Sequence, residues 1–154
     1  WEFVCKTGQT DQVESLDSIA VYKTNSQGKY AEKGSLKPNN LGIHDLLGNV
    51  SEWVLDAYES RYYKRSPKNN PWNKPVELYP RVIRGGSWKD TATKTCCTAR
   101  SKSEVKWKRR DPQIPKSNWW HTNADFVGFR VVRPLNQPSK EAIAAYWLEA
   151  VEDY

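Results

Sequence analysis

The chain has 154 residues, with 24 basic and 18 acidic side chains and a formal net charge of +6, which suits one domain with a core of its own. Only 38% of it is hydrophobic and its mean hydropathy is −0.85, and no apolar run reaches the roughly 20 residues that a membrane-spanning helix needs. Eight Trp and eight Tyr stand in for scarce aliphatics, and rings with polar edges imply an irregular, hydrogen-bond-rich interior.

The opening "WEFVCKTG" reads like the inside of a domain, so residues before Trp1 are expected to be missing, and such a start would hide any signal peptide. Up to about residue 38 the chain looks loop-rich, with "SIAVY" as a short candidate strand. "NNLGIHDLLGNVSEW" (Asn39 to Trp53) follows, too dense in Gly and Asn for a helix and carrying two carboxylates, Asp45 and Glu52. "VSEWVLDAY" alternates partly and reads as a strand leaving that loop, with a short helix as the alternative.

"RYYKRSPKNNPWNKPVELYP" has no period and is rich in Pro and Asn, hence a long surface loop. "RVIRGGSW" and "FVGFRVVRP" are the clearest strands, built from Val, Ile and Phe and ending at Gly or Pro. Between them, Lys102, Lys106, Lys108, Arg109, Arg110 and Lys116 form a basic cluster. No nucleic-acid-binding fold signature accompanies it, so it reads as a solvated loop and no nucleic-acid partner is expected. The tail "PSKEAIAAYWLEAVEDY" is a helix: Ser139 suits the N-cap and Glu141 the first turn. Ile143, Trp147, Ala150, Val151 and Tyr154 form one apolar face, expected to pack on this domain, or else on a protein partner.

Four segments in order, "WEFVCKTG", "PNNLGIHDLLGNVSEWVLDAY", "RVIRGGSW" and "FVGFRVVRP", resemble the sulfatase-modifying-factor family, whose founding activity is that of the formylglycine-generating enzyme. The pattern is shared by sulfoxide-synthase domains and by cysteine-less bacterial relatives that include gliding-motility lipoproteins. The resemblance implies an irregular α/β fold related to C-type lectins, low in regular secondary structure. Residues 1–135 would form the C-terminal portion of such a domain and 136–154 a helical tail.

The resemblance also suggests a use for the Gly-Asn loop. Asp45, the carbonyls of Gly48 and Val50, and Glu52 match the positions that hold calcium in family members, and oxygen donors on a Gly-bearing turn suit a hard cation. Read from the residues alone, Asp45 and Glu52 better suit capping of backbone amides and pairing with Arg.

In catalytic members, two cysteines after the G-G-S-[YW] motif bind copper, because Cu(I) favours soft thiolates. In "RGGSWKDTATKTCCTARS" those positions hold Asp90 and, counted without gaps, Thr95, so copper is not expected. The resemblance further implies a Cys5–Cys97 disulfide, which would contribute about 3–4 kcal/mol by closing a long loop and imply an oxidising compartment. Three reduced, buried cysteines are the alternative. His44 and His121 have no spacing suited to a metal site and read as packed or hydrogen-bonded residues.

Trp107, Trp119, Trp120 and His121 either line a ligand groove beside Asp90 or belong to the core. The expected function is a non-catalytic binding or structural module of a bacterial envelope protein. The alternatives are an oxygen-dependent metalloenzyme of the sulfoxide-synthase or formylglycine-generating type, and a lectin-like display protein that varies over residues 101–125.

Overall fold

The structure, a computed structural model, describes residues 1–9, 15–108 and 124–147. Its framework is a four-stranded sheet of β1 (Ser51–Ala57), β2 (Arg81–Arg84), β3 (Arg100–Lys102) and β4 (Val127–Gly128), in the order β3-β2-β1-β4. β1 and β3 flank β2 antiparallel, with Trp53 opposite Ile83 and Ile83 opposite Ser101, while β4 runs parallel to β1. Short helices and long connections account for the rest, a fold low in regular secondary structure.

The strand expected from "VSEWVLDAY" is β1, and "RVIR" is β2. Val82 and Ile83, at 2% and 3% exposure, explain why β2 is a compact β-branched run: both faces of this inner strand are covered. The long Pro/Asn-rich segment is irregular apart from one 3-10 turn at Tyr62–Lys64.

Three expectations need correction. "WEFVCKTG" is not loop but helix α1 (Glu2–Thr7), one and a half turns held by an i,i+4 ion pair of Lys6 with Glu2 at 2.7 Å. "SIAVY" is not a strand: Ser18 and Ile19 close the one-turn helix α2 (Leu16–Ile19), and Val21 makes a single bridge to Gly48. In "FVGFRVVRP" only Val127 and Gly128 pair, and the chain beyond them leaves Phe129, Val131, Val132 and Leu135 at 78–100% exposure. Apolar strand composition without a neighbouring strand is not enough to make a ladder.

The tail helix is α3 (Lys140–Trp147), and Ser139 caps it by accepting a hydrogen bond from the Ala142 amide at 3.1 Å. Of its apolar face, Ile143 is 37% exposed rather than packed, and Ala150, Val151 and Tyr154 lie outside the described residues. No helix among the described residues is long and apolar enough to cross a membrane.

The core sits where α1 and α2 meet the Gly-Asn loop. Cys5, Ala20, Tyr22, Leu47 and Cys97 are buried together, with Trp1, Leu16 and Ile19 packed around them. A second, aromatic cluster lies across the sheet, where Trp107 meets Trp53 and Phe126 edge-to-face at 5.9 and 5.3 Å, the geometry that ring quadrupoles favour.

Candidate functional site

The Gly-Asn loop is held shut by its own polar groups. Asn39 Oδ1 accepts from the amides of Leu41 and Ile43, both at 3.0 Å, an Asx-type turn. At Gly48, φ is +73° and a Cβ would stand 2.3 Å from the Val21 carbonyl oxygen, so only glycine permits this approach. The close packing lets Gly48 donate its amide to Gly85 O and Asn49 donate to Val21 O, which joins the loop to the G-G-S turn.

Within this loop the two acids face different partners. Asp45, at φ +56°, accepts the Gly34 amide at 2.7 Å. Glu52 is 5% exposed; Arg130 Nε and Nη2 reach its Oε1 at 2.9 and 2.6 Å, and the Trp1 indole N–H reaches Oε2 at 2.9 Å. A calcium ion at Asp45, Gly48, Val50 and Glu52 would need oxygens free of donors and a net negative site. With Arg130 neutralising Glu52 and filling both its oxygens, this arrangement does not fit the ion. His44 holds Leu36 O through Nδ1 at 2.8 Å, and its own carbonyl accepts from Arg130.

The G-G-S turn that follows β2 carries the positions matching the copper cysteines. Asp90 Oδ2 accepts both the Ser87 amide at 3.0 Å and the Ser87 hydroxyl at 2.6 Å, closing a tight turn around a Ser87 that is fully buried. Thr95 is 2% exposed and gives its hydroxyl to Thr91 O. Asp90 thus serves as a turn clasp and Thr95 as a core residue.

Cys5 and Cys97 are bonded, with Cα atoms 5.6 Å apart, inside the usual range for a disulfide. Cys96 is the free thiol, half-buried. A hydrogen bond with Thr98 holds it below the ordinary thiol range, helped by the Ala99 and Thr98 backbone and the Arg84 charge and opposed by burial.

Arg84 supports this whole turn. At 8% exposure it donates to Glu2 at 2.9 Å, to the Tyr63 hydroxyl at 2.8 Å, and to the carbonyls of Cys97, Thr98 and Ala99 at 3.3–3.4 Å. Burial alone would raise the Glu2 pKa, but hydrogen bonds from Lys6 and Arg84 and their charges hold it below the usual carboxylate range.

A cavity of about 340 Å³ opens beside Asp90, lined by Ile83, Trp107, Phe126, Ser101, Lys102, Glu104 and Lys106. The structure therefore brings Asp90 and Trp107 onto one cleft, and Trp107 also belongs to the aromatic cluster. Trp119, Trp120 and His121 lie outside the described residues.

Sequence reasoning missed the partnership of Arg130 and Trp1 with Glu52, and the role of Arg84. The available signal was an arginine inside each apolar strand segment, "RVIR" and "GFRVV", because a charge within a hydrophobic run needs a buried partner.

A profile of the FGE-sulfatase family, the sulfatase-modifying factor enzyme 1-like domain, matches residues 5–135. The chain belongs to this family. Among curated relatives, this sulfatase-modifying-factor domain is 35% identical over 104 residues to the Chlamydia pneumoniae "Serine/threonine-protein kinase pkn1", covering 66% of this chain and 14% of that protein. It is 34% identical over 108 residues to the mouse "Inactive C-alpha-formylglycine-generating enzyme 2", covering 60% and 30%. The chain thus spans less than a third of either relative. Among solved structures, "Treponema denticola variable protein 1" superposes with a TM-score of 0.54 at 29% identity, over 67% of this chain and 39% of that one.

Proposed function

We propose that this sulfatase-modifying-factor domain is a non-catalytic binding module of a bacterial envelope protein or assembly. One observation carries the proposal. Where catalytic relatives place two thiolates, Asp90 is clasped to Ser87 and Thr95 is buried in a hydrogen bond to Thr91. Of the neighbouring thiols, Cys97 is consumed by the bond to Cys5, and Cys96 stands without a second sulfur. A hard carboxylate and an alcohol are poor hosts for Cu(I).

The likeness to the mouse protein named as inactive supports the same reading. An exported setting is supported by the Cys5–Cys97 bond, since such bonds persist in oxidising compartments. The cleft beside Asp90 supplies the binding surface, and the acids of the Gly-Asn loop act as internal braces to Arg130 and Gly34. The test is metal analysis of the purified chain together with a turnover assay on a cysteine-bearing peptide. Absence of both copper and turnover is expected; stoichiometric copper with peptide oxidation would overturn the proposal.

A display role, with variation in the loop beyond β3, is a second reading. It is favoured by the 29% identity to a Treponema protein titled "variable". Sequencing independent isolates tests it: substitutions should concentrate at residues 101–125.

A further inference from the structure

The binding reading leaves the ligand open, and the cleft restricts its chemistry. Asp90 uses Oδ2 for both Ser87 bonds, while Oδ1 has no hydrogen-bond partner among the described residues. This carboxylate is half-buried at the edge of a cleft floored by Ile83, Trp107 and Phe126. The other charges on the lining contribute less. Lys106 is paired with Glu104 at 2.7 Å, both well exposed, and Lys102 is exposed to solvent.

A half-buried charge is less screened than exposed ones, so Asp90 weighs more in the local field than either member of the exposed Lys106–Glu104 pair. Lys89 stands at the same rim, its ammonium 4.6 Å from the Phe126 ring centroid and paired with Asp125 at 2.5 Å, so that charge is already answered and leaves Asp90 as the carboxylate of the cleft without a cation among the described residues. Ile83 and Trp107 offer an apolar wall for an alkyl stem.

We propose that the cleft binds a cationic peptide side chain, a lysine ammonium or an arginine guanidinium, with its charge at Asp90 Oδ1 and its alkyl stem on Ile83, Trp107 and Phe126. This inference rests on the binding-module reading and deepens it.

The experiment is a titration of the full chain, followed by calorimetry or by Trp fluorescence, with three N-acetylated, C-amidated probes carrying lysine, arginine and norleucine. Norleucine keeps the stem and lacks the charge. The lysine and arginine probes should bind at least about tenfold more tightly than norleucine, and added salt should weaken them.

In Asp90→Asn the amide oxygen still accepts the Ser87 bonds, so the turn persists while the charge is lost. This variant should lose the preference for the cationic probes. Equal binding of norleucine and lysine by the native chain would overturn the proposal without any variant. So would an Asp90→Asn chain that folds normally and keeps the preference, or failure of both cationic probes to bind. None of these outcomes touches the proposal that the domain is non-catalytic, which is read separately from metal content and peptide turnover.

Discussion

Replacing Arg84 by methionine removes a charge while keeping most of its volume. Arg84 is 8% exposed and its ion-pair partner Glu2 is 28% exposed, so this is a largely desolvated pair. Breaking such a pair from one side costs about 3–5 kcal/mol, because the remaining charge stays buried without compensation. Two features adjust that figure. Lys6 still pairs with Glu2, which recovers part of the loss, whereas the carbonyls of Cys97, Thr98 and Ala99 and the Tyr63 hydroxyl all lose their donor. Of these the Cys97 carbonyl is buried, and a buried group left without a partner costs roughly 1–3 kcal/mol.

The two adjustments offset, and about 4 kcal/mol is the expected loss, or about 8–16 °C in Tm for a domain of this size. The assay is urea denaturation and thermal melting with the disulfide intact. Glu2→Gln alone and with Arg84→Met completes a cycle whose coupling should be about 1–3 kcal/mol. A loss under about 1 kcal/mol, or no coupling to Glu2, would refute the view of Arg84 as the buried support of the G-G-S turn.

Four further outcomes are expected. Replacing both Cys5 and Cys97 by serine should cost about 2–5 kcal/mol, and unreduced peptide mapping should show Cys5 linked to Cys97 with Cys96 alkylatable. The Glu2 pKa is lower in the folded chain, so its contribution to stability is complete above its unfolded value near 4.5 and is lost as pH falls through the folded value. Glu2→Gln should flatten the stability profile in that acid window. Asp45→Ala should lower stability by about 1 kcal/mol through the lost bond to the Gly34 amide, equally with calcium or chelator; a loss confined to calcium-containing buffer would restore the ion-binding assignment. Gly48→Ala should destabilise by several kcal/mol, because its Cβ would collide with the Val21 carbonyl, and Tm reads it directly.

Much of the fold was legible where local chemistry and tertiary context agree. β1 and β2 alternate or concentrate β-formers and do lie inside the sheet, and Ser139 caps the helix its sequence announces. The misreadings have physical causes. α1 is too short to show a helical period, and its Lys6–Glu2 pair is one i,i+4 contact among many charges. "FRVV" has strand composition, yet pairing requires a neighbour that composition cannot supply.

At the site, Asp90 and Trp107 could be placed near one cleft because the motif fixes one and aromaticity marks the other. The partners of Glu52 could not, since Trp1 and Arg130 stand 51 and 78 residues away. Only the three-dimensional path brings them together.

That separation imposes an order on biosynthesis. A nascent chain that has emerged only through β2 holds Glu52 without the guanidinium that answers it, so the central strand carries an unmatched charge until Arg130 leaves the ribosome. Closure is necessarily late and dominated by contacts distant in sequence, the regime in which folding is slow. Ribosome-stalled chains with Arg130 still inside the exit tunnel should therefore be cut readily by protease, and chains long enough to expose it should resist.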